Sequence, residues 1–282
     1  GKDVRSRRRD LKAINRDNIV DSDSNYCFGE GGAGTYSDGK LYTRSKKRGS
    51  VQRILDSLVE HGAAEDILYE AHPHIGTNKL PKVVAAMRET VLKYGGEIHF
   101  ETRLTDIKQE GNRISSLSTA DGKNWPIYSL ILATGHSARD IYHLLHRKNI
   151  RIEAKPFAMG VRVEHPQKLI NKIQYHGNSY DELLPAASYK LVQQVDQRGV
   201  YSFCMCPGGF IVPAATEQNE LVVNGMSPSK RDNSFANSGI VVGIEMEDLA
   251  PYKEHGPLAG LIFQQEVERL VWEAGGKTQV AA

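Results

Sequence analysis

A glycine-rich stretch at residues 28–40 constrains the fold of this chain more than any other part of its sequence. Five of its thirteen residues are glycine, and no apolar residues follow at helical or strand spacing. Glycine adopts backbone conformations closed to other residues and lets the main chain approach a ligand closely. Charged and aromatic residues lie between the glycines, which is unlike a flexible Gly/Ser linker. We therefore predict a loop whose backbone N–H groups hold the polar part of a bound ligand.

The spacing of Gly29, Gly31 and Gly34 reads G-x-G-x-x-G, which marks a dinucleotide site only between a strand and a helix. Residues 21–25 before it are typical of a turn, and residues 37–39 after it would break a helix. We therefore reject a Rossmann turn at these glycines.

Composition narrows the class of protein. The 282 residues are 40% hydrophobic and 25% charged, as in a globular protein, and the net charge of +2 indicates no dominant electrostatic partner. No apolar run is long enough to span a bilayer. Three cysteines argue against a secreted disulfide framework. We predict a cytoplasmic protein without a membrane or nucleic-acid partner.

The basic segment near the N-terminus leaves an alternative open. It contains Arg5, Arg7, Arg8 and Arg9 among apolar residues at helical spacing. Such a run is typical of a solvated helix face, and it also occurs at nucleic-acid contacts. The alternative function is therefore a non-catalytic binding module that binds RNA through this segment, although 7% aromatic content leaves few stacking platforms.

The periodicity of apolar residues predicts a chain of mixed α/β class. Helices are expected within residues 2–15, 51–59, 78–92, 141–145, 167–173 and 257–274. Strands are expected at residues 67–69, 97–100, 103–110, 113–119, 124–128, 130–133, 157–164, 187–195, 199–206, 210–215, 220–226 and 240–246. Gly111-Asn112 is the predicted turn of a hairpin.

The apolar run at 130–133 resembles a strand buried on both faces. Ala133, Thr134 and Gly135 would lie at its carboxyl end, where ligands bind in open α/β sheets. His136 follows them, and it either donates a proton near a ligand or caps the next helix.

Five segments resemble those of a family of FAD-dependent oxidoreductases, often called FAD-dependent dehydrogenases, within the glutathione-reductase-like superfamily. The segments are FGEGGAGTYSDGKL (28–41), ATGHSARD (133–140), GVRVEHP (160–166), FCMCPGG (203–209) and NGMS (224–227). The resemblance implies an α/β fold in which a partial Rossmann-type FAD-binding domain carries an inserted mixed, largely antiparallel β-rich domain. Residues 1–150 would form the first, residues 151–255 a substrate or cap domain, and residues 256–282 a helix leading back to the FAD domain.

The same resemblance implies the cofactor and its contacts. The cofactor is FAD, with NAD(P) left open as a second one, and the substrate is an unidentified small molecule. The residues expected along the pyrophosphate and the flavin are Gly29, Glu30, Gly31, Gly32, Ala33, Gly34, Thr35, Ser37, Asp38, Ala133, Thr134 and Gly135. Family members also begin with a strand and a true G-x-G-x-x-G turn, and they end with a second flavin contact. We therefore expect this chain to be a middle segment that needs both of those parts as partners.

Cys204 and Cys206 form the remaining candidate pair, with His136 as the third catalytic candidate. Residues i and i+2 of a strand point to one face, with Cα atoms about 6.6 Å apart. That is near the upper limit for a disulfide, so a bridge in a regular strand would be strained. A redox dithiol facing the flavin, half of a metal site and two buried apolar thiols all remain open. No complete metal-ligand set is expected.

Overall fold

The computed structural model describes residues 1–42, 49–111, 113–176 and 184–279, and it has a mixed α/β fold with several antiparallel sheets. The helices are α1 (Val4–Asp17), α2 (Val51–Glu60), α3 (Leu80–Lys93), α4 (Arg139–Arg147), α5 (Gln167–Gln174) and α6 (Ala259–Ala274). The strands are β1 (Leu104–Glu110), β2 (Arg113–Thr119), β3 (Asn124–Pro126), β4 (Phe157–Pro166), β5 (Val192–Val195), β6 (Arg198–Cys206), β7 (Phe210–Pro213), β8 (Val223–Met226) and β9 (Phe235–Ile244). Short 3₁₀ segments cover Gly32–Gly34, Glu65–Leu68 and Met246–Leu258. None of the helices in these ranges combines the length and apolarity that crossing a bilayer requires.

Local sequence explains where the first helices begin. The Asp3 carboxylate accepts hydrogen bonds from the backbone of Arg5 at 2.8 Å and of Ser6 at 3.2 Å, so it caps α1. The Ser50 hydroxyl accepts from Arg53 N at 3.2 Å, which confirms the predicted cap of α2. The predicted cap of α3 is wrong, because the Asn78 side chain accepts from Ser229 N, and the helix begins after Lys79.

All strand pairings among the described residues are antiparallel. Strands β1, β2 and β3 form a meander, β4, β9, β6 and β5 form a four-stranded sheet in that order, and β7 and β8 form a separate hairpin. The predicted hairpin of β1 and β2 is confirmed, although Asn112 of its turn lies outside the described residues.

One hydrophobic cluster joins elements that are far apart in sequence. Leu11 and Ile14 of α1 pack with Tyr36 of the glycine-rich loop and with Val212 and Met226 of the β7–β8 hairpin. The C-terminal half of the chain therefore shares a core with the N-terminal helix. The domain boundaries predicted at residues 150 and 255 stay predictions.

Three predicted strands are wrong. Residues 67–69 lie in and beside a 3₁₀ turn, and residues 97–100 form no ladder. Residues 130–133 are extended but unpaired, with Ile131 92% exposed, whereas a doubly buried strand was predicted. An apolar run becomes a buried strand only when neighbouring strands bond both of its edges, and the described residues provide none here. Five further strands form with clearly shifted or shorter bounds, at β3, β5, β7, β8 and β9.

The glycine-rich loop wraps around a buried cation. Arg7 of α1 is 0% exposed, and its guanidinium donates to the carbonyl oxygens of Asn25 at 2.8 Å, Tyr26 at 3.2 Å and Gly32 at 3.1 Å. It also donates to the carbonyl of Glu30 and to Thr35 Oγ1. Burial lowers the pKa of Arg7, because water no longer stabilises the charge. The expectation that this basic run is wholly a solvated helix face is therefore wrong at Arg7.

Replacing Arg7 should destabilise the protein strongly. Arg7→Ala removes the donors that these carbonyls share, so we expect a loss of about 3 kcal/mol or more in the free energy of unfolding. Arg7→Lys should recover only part of it, because a single ammonium cannot reproduce the planar fork of donors. Urea denaturation of both variants measures this, with Arg5→Ala on the exposed face of the same helix as the matched control. Equal stabilities of the Arg7 and Arg5 variants would contradict the role of the buried charge.

Candidate functional site

The glycines of the loop have two different surroundings. A Cβ on Gly29 would lie 2.3 Å from Arg7 Cδ, and one on Gly31 would lie 2.1 Å from Thr35 Oγ1, so both positions need glycine for internal packing. A Cβ on Gly34 would meet nothing within 4 Å, and one on Gly32 would meet only the Cys27 carbonyl at 4.0 Å. Ala33 and Gly34 are exposed. The loop therefore has an inner side that packs and an open side at Gly32 to Gly34.

The G-x-G-x-x-G pattern is not a Rossmann turn, as the sequence indicates. A 3₁₀ turn occupies Gly32–Gly34, and no α-helix follows before residue 42. The amides of Gly32, Thr35 and Ser37 donate to carbonyls within the loop itself. The role of the loop as a ligand cradle stays a prediction.

The polar side chains of the loop hold other parts of the chain. The Glu30 carboxylate accepts from Val4 N at 2.8 Å and pairs with Arg88 of α3 at 3.0 Å. The Asp38 carboxylate, 3% exposed, pairs with Arg231 at 3.1 Å. These carboxylates therefore fix the loop between the N-terminal helix, α3 and the C-terminal half.

Segments of the C-terminal half close over the loop. Thr77 Oγ1 donates to the carbonyls of Ser37 at 3.1 Å and of Ser227 at 3.0 Å, which joins the loop to the end of β8. A Cβ on Gly76 would lie 2.5 Å from the backbone of Ser229, so close approach explains that glycine. Four of the five segments that carry the family resemblance thus meet in one region, since residues 160–166 and 203–209 also contact it.

Lys40 lies at the centre of this region. Its ammonium nitrogen is 3.7 Å from Cys204 Sγ and 3.5 Å from Cys206 Sγ, and it donates to the Met205 carbonyl at 2.6 Å. The Asp38 carboxylate lies 3.3 Å from the same nitrogen. The structure thus brings together both predicted cysteines and a cation that sequence reasoning did not assign.

The strand that carries the cysteines is not regular. The register of β6 against β9 shifts between Phe203 and Cys206, and Cys204 has a φ of 47°. This left-handed conformation is uncommon for a residue with a Cβ. The distance argument for a regular strand therefore does not apply to this pair. Cys204 is exposed, whereas Cys206 is 0% exposed.

The two thiols have opposite pKa shifts. The Cys206 thiol beside it lowers the pKa of Cys204, and the charges of Lys40 and Arg162 act in the same direction against desolvation. The pairing with Cys204 and burial raise the pKa of Cys206. Burial opposes the charge on Lys40, but Cys206, Cys204 and Asp38 together raise its pKa. The stable arrangement is therefore a Cys204 thiolate beside a Cys206 thiol and a Lys40 ammonium.

Arg162 of β4 supports the backbone at Cys204. Its guanidinium donates to the Cys204 carbonyl at 3.0 Å and 3.2 Å, and to Asn237 Oδ1 at 2.6 Å. A Cβ on Gly225 would lie 2.2 Å from Arg162 Nη1, so the glycine of the NGMS segment makes room for this side chain.

Arg162 also lines a cleft of about 1140 Å³. Its walls come from β4, the β7–β8 hairpin, α6 and the start of α4, and its apolar lining includes Phe157, Met159, Leu249, Leu261 and Val271. A cleft of this size whose lining is mainly apolar and also carries charged groups is typical of sites for small molecules and cofactors.

The predicted Ala-Thr-Gly edge lies at the surface. Ala133, Thr134, Gly135 and His136 are all exposed, and His136 is in the lining of the cleft. The His136 ring contacts the Ser137 hydroxyl at 3.2 Å rather than either cysteine of the Lys40 cluster. The catalytic role of His136 stays a prediction.

A buried ion cluster forms one corner of the cleft. Arg139 Nη1 lies 2.6 Å from both carboxylate oxygens of Glu220, and Nη2 pairs with Glu268. One guanidinium therefore serves two carboxylates, each about one-tenth exposed. Burial raises the pKa of Glu268, although Arg139 opposes this.

Sequence reasoning missed Lys40, Arg7 and Arg231. Arg7 carried a local signal, since it lies three residues after Val4 and four before Leu11 on the apolar stripe of α1. Lys40 and Arg231 carried none, because the contacts that place Lys40 at the cysteines and Arg231 at Asp38 join residues more than 160 positions apart in sequence.

Comparisons with known proteins support a relationship to FAD-dependent proteins. Residues 156–282 match a family model described as "FAD-dependent protein, C-terminal domain-like". An uncharacterised protein of Clostridium beijerinckii is 45% identical over 278 residues, which are 98% of this chain and 51% of that protein. The chain thus spans about half the length of the curated relative that it matches. The crystal structure of the tetracycline destructase Tet(51) aligns with 83% of this chain and 57% of that one, at 10% identity and a TM-score of 0.32, which is too weak to support a conclusion.

The ion cluster should respond unequally to the loss of its members. Arg139→Met leaves two buried carboxylates without a cation, so we expect about 3–5 kcal/mol of destabilisation. Glu268→Gln keeps a hydrogen-bond acceptor and removes one of two like charges. It should therefore reduce the free energy of unfolding far less than Arg139→Met does. The folded-state pKa of Glu268 is raised above its ordinary 4.5, so its proton stabilises the folded state below that value. This contribution is lost as the pH rises through the raised pKa.

Denaturation curves of the wild type, Glu268→Gln and Arg139→Met across the acidic to neutral range test this. The stability of Glu268→Gln relative to the wild type should improve as the pH rises. Equal losses of unfolding free energy for Glu268→Gln and Arg139→Met at neutral pH would contradict the role of Arg139 as the cation shared by two buried carboxylates.

Proposed function

We propose that this chain is part of an FAD-dependent oxidoreductase of the dehydrogenase type that acts on a small-molecule substrate. The match of residues 156–282 to the model of FAD-dependent proteins carries this proposal. The matched region contacts the glycine-rich loop directly through Arg231 and Met205, and Thr77 joins Ser227 to the loop at Ser37. The matched segment and the loop therefore belong to one site.

The residues present fit a flavin nucleotide in two respects. The open side of the loop at Gly32 and Gly34 leaves the backbone accessible, and a Cβ at either position would fill that space. The cleft is large enough for part of a cofactor or a substrate, and its lining is mainly apolar. A Rossmann-type FAD domain built around residues 1–150 belongs to the same proposal.

Each group then has a defined task. Bound FAD supplies the hydride chemistry, and the protein supplies position and electrostatics. The exposed backbone at residues 32–34 and at Ala133, Thr134 and Gly135 would lie against the cofactor. His136 and Arg162 are both in the cleft lining. There His136 would bind or protonate a substrate, and Arg162 would bind it. NAD(P) is proposed only as the electron partner that such a flavin commonly uses.

We also propose that further segments of the whole protein complete the cofactor site. The Clostridium beijerinckii relative is about twice as long as its match to this chain, which supports this view. In dinucleotide-binding folds a strand, a glycine turn and a helix N-terminus hold the pyrophosphate. The unpaired segment at 130–133 provides an edge that such a strand could bond.

The 282-residue chain should bind FAD poorly, whereas a longer protein extended at both ends should purify yellow. The measurement is visible flavin absorbance of both proteins, before and after incubation with FAD and removal of the excess. Tight stoichiometric binding by the shorter chain would overturn the proposal about completing segments. A colourless longer protein that FAD cannot reconstitute would overturn the flavoprotein assignment itself.

In the longer protein, Gly34→Val should reduce the flavin content severely without unfolding the chain. The new side chain meets nothing within 4 Å in the folded loop, so its effect should fall on a ligand at the open side. Gly199→Val is the matched control, because Gly199 also has open space around its Cβ position and lies away from the loop in the β5–β6 hairpin. Flavin-to-protein ratios and melting temperatures of the two variants are compared. Normal flavin content in Gly34→Val would contradict the prediction that the glycine-rich loop holds the cofactor.

A further inference from the structure

Two thiols and one ammonium form a compact group that flavin binding does not require. Lys40 Nζ lies within 3.7 Å of both sulfurs, and the Cys206 thiol donates to the Cys204 carbonyl at 3.4 Å. Within the described ranges no group of three or more metal-ligating side chains occurs, and a cation already lies beside both sulfurs. This arrangement favours thiol chemistry over metal binding.

The two thiols differ in access. Cys204 is exposed at the bulge of β6, so a solvent-borne molecule can reach its sulfur. Cys206 is fully buried and reaches only its immediate neighbours. An exposed nucleophile beside a buried partner thiol is the arrangement that intramolecular disulfide exchange needs.

We propose that Cys204 is a nucleophilic thiolate and Cys206 its resolving thiol, and that the pair cycles between dithiol and disulfide by exchange with a small-molecule disulfide. The Cys204 thiolate attacks one sulfur of the small disulfide, and a sulfur–sulfur bond forms as one small thiolate leaves. The Cys206 sulfur then attacks Cys204 Sγ, and the Cys206 proton passes to the second small thiolate as that group is displaced. The second small thiolate leaves, so that the protein is oxidised by two electrons and the small disulfide becomes two thiols.

Among the described residues, the charged groups beside Cys204 support the thiolate or hold a group that does. Lys40 comes from the glycine-rich loop and Arg162 from β4, and both are cations. Asp38 is the carboxylate of the group, but Arg231 pairs with it, and it holds Lys40 in place. Lys40 remains charged over the working range, because its pKa is raised. The pH dependence of the reaction rate of Cys204 therefore reports the ionisation of its own thiol.

The first experiment follows alkylation of Cys204 by iodoacetamide as a function of pH, with peptide mass spectrometry to identify the site. In the wild type, the rate should reach its plateau at a pH well below that of an ordinary cysteine, because the pKa of Cys204 is lowered. Lys40→Met should move the profile to higher pH and slow alkylation at pH 6 about tenfold. Lys40→Arg should restore most of the rate. Lys12→Met, which removes an exposed lysine of α1, is the matched control.

The second experiment treats the reduced protein with oxidised glutathione and counts free thiols by mass. The wild type should lose two thiols and retain no glutathione. Cys206→Ser should accumulate one glutathione on Cys204, and Cys204→Ser should accumulate none. Cys27 should stay reduced throughout, because burial raises the pKa of its thiol.

Two results would overturn the proposal. One is a pH profile of Lys40→Met that coincides with that of the wild type in a protein of normal melting temperature. The other is a Cys206→Ser variant that acquires no adduct while its Cys204 remains alkylatable. Both readouts are independent of FAD, so failure of the flavin assignment would leave this proposal standing, and its own failure would leave the flavin assignment standing.

Discussion

The guanidinium of Arg7 is fully removed from water and pairs directly with no carboxylate of the described residues, and the N-terminal half depends on how that charge is held. Carbonyl oxygens of residues 25, 26, 30 and 32 and the Thr35 hydroxyl converge on it. Its carbon atom also lies 5.1 Å from the centre of the Tyr36 ring. Because a buried charge is costly unless its hydrogen bonds are made, the loop must close around the two terminal nitrogens of this guanidinium. Part of the glycine content of the loop is thus needed to enclose Arg7. The open side at Gly34 remains available to a ligand.

Charge in the candidate site is distributed unevenly. Lys40, Arg162 and Arg231 converge from three parts of the chain, and Asp38 is the carboxylate among them. The local field is therefore positive, and it favours any anion that forms or binds there. The Arg139 corner of the cleft has the opposite balance, with two carboxylates around one cation. The two ends of the site would thus attract groups of opposite charge.

Elements whose pattern is local were predictable from the sequence. The amphipathic stripes of α1, α2 and α6 and the hairpin of β1 and β2 follow from the spacing of apolar residues, as does the placement of both cysteines on one strand. The segment at 130–133 has the composition of a buried strand, but composition does not provide the partners that make one. The bulge at Cys204 depends on how β6 meets β9, and Lys40 reaches its partners through tertiary contacts. No pattern within a short window encodes either feature.

The bond between Lys40 and the Met205 carbonyl joins residues 165 positions apart. Closing so long a segment carries a large entropic cost, and contacts of this range slow folding. During synthesis the glycine-rich loop leaves the ribosome long before β6 exists, so Lys40 has no sulfur to contact for most of that time. A nascent or partly folded chain therefore lacks the share of thiolate stabilisation that Lys40 and Arg162 supply, and Cys204 reaches its full acidity only when these long-range contacts form. Thiol acidity in this protein is thus a marker of completed folding.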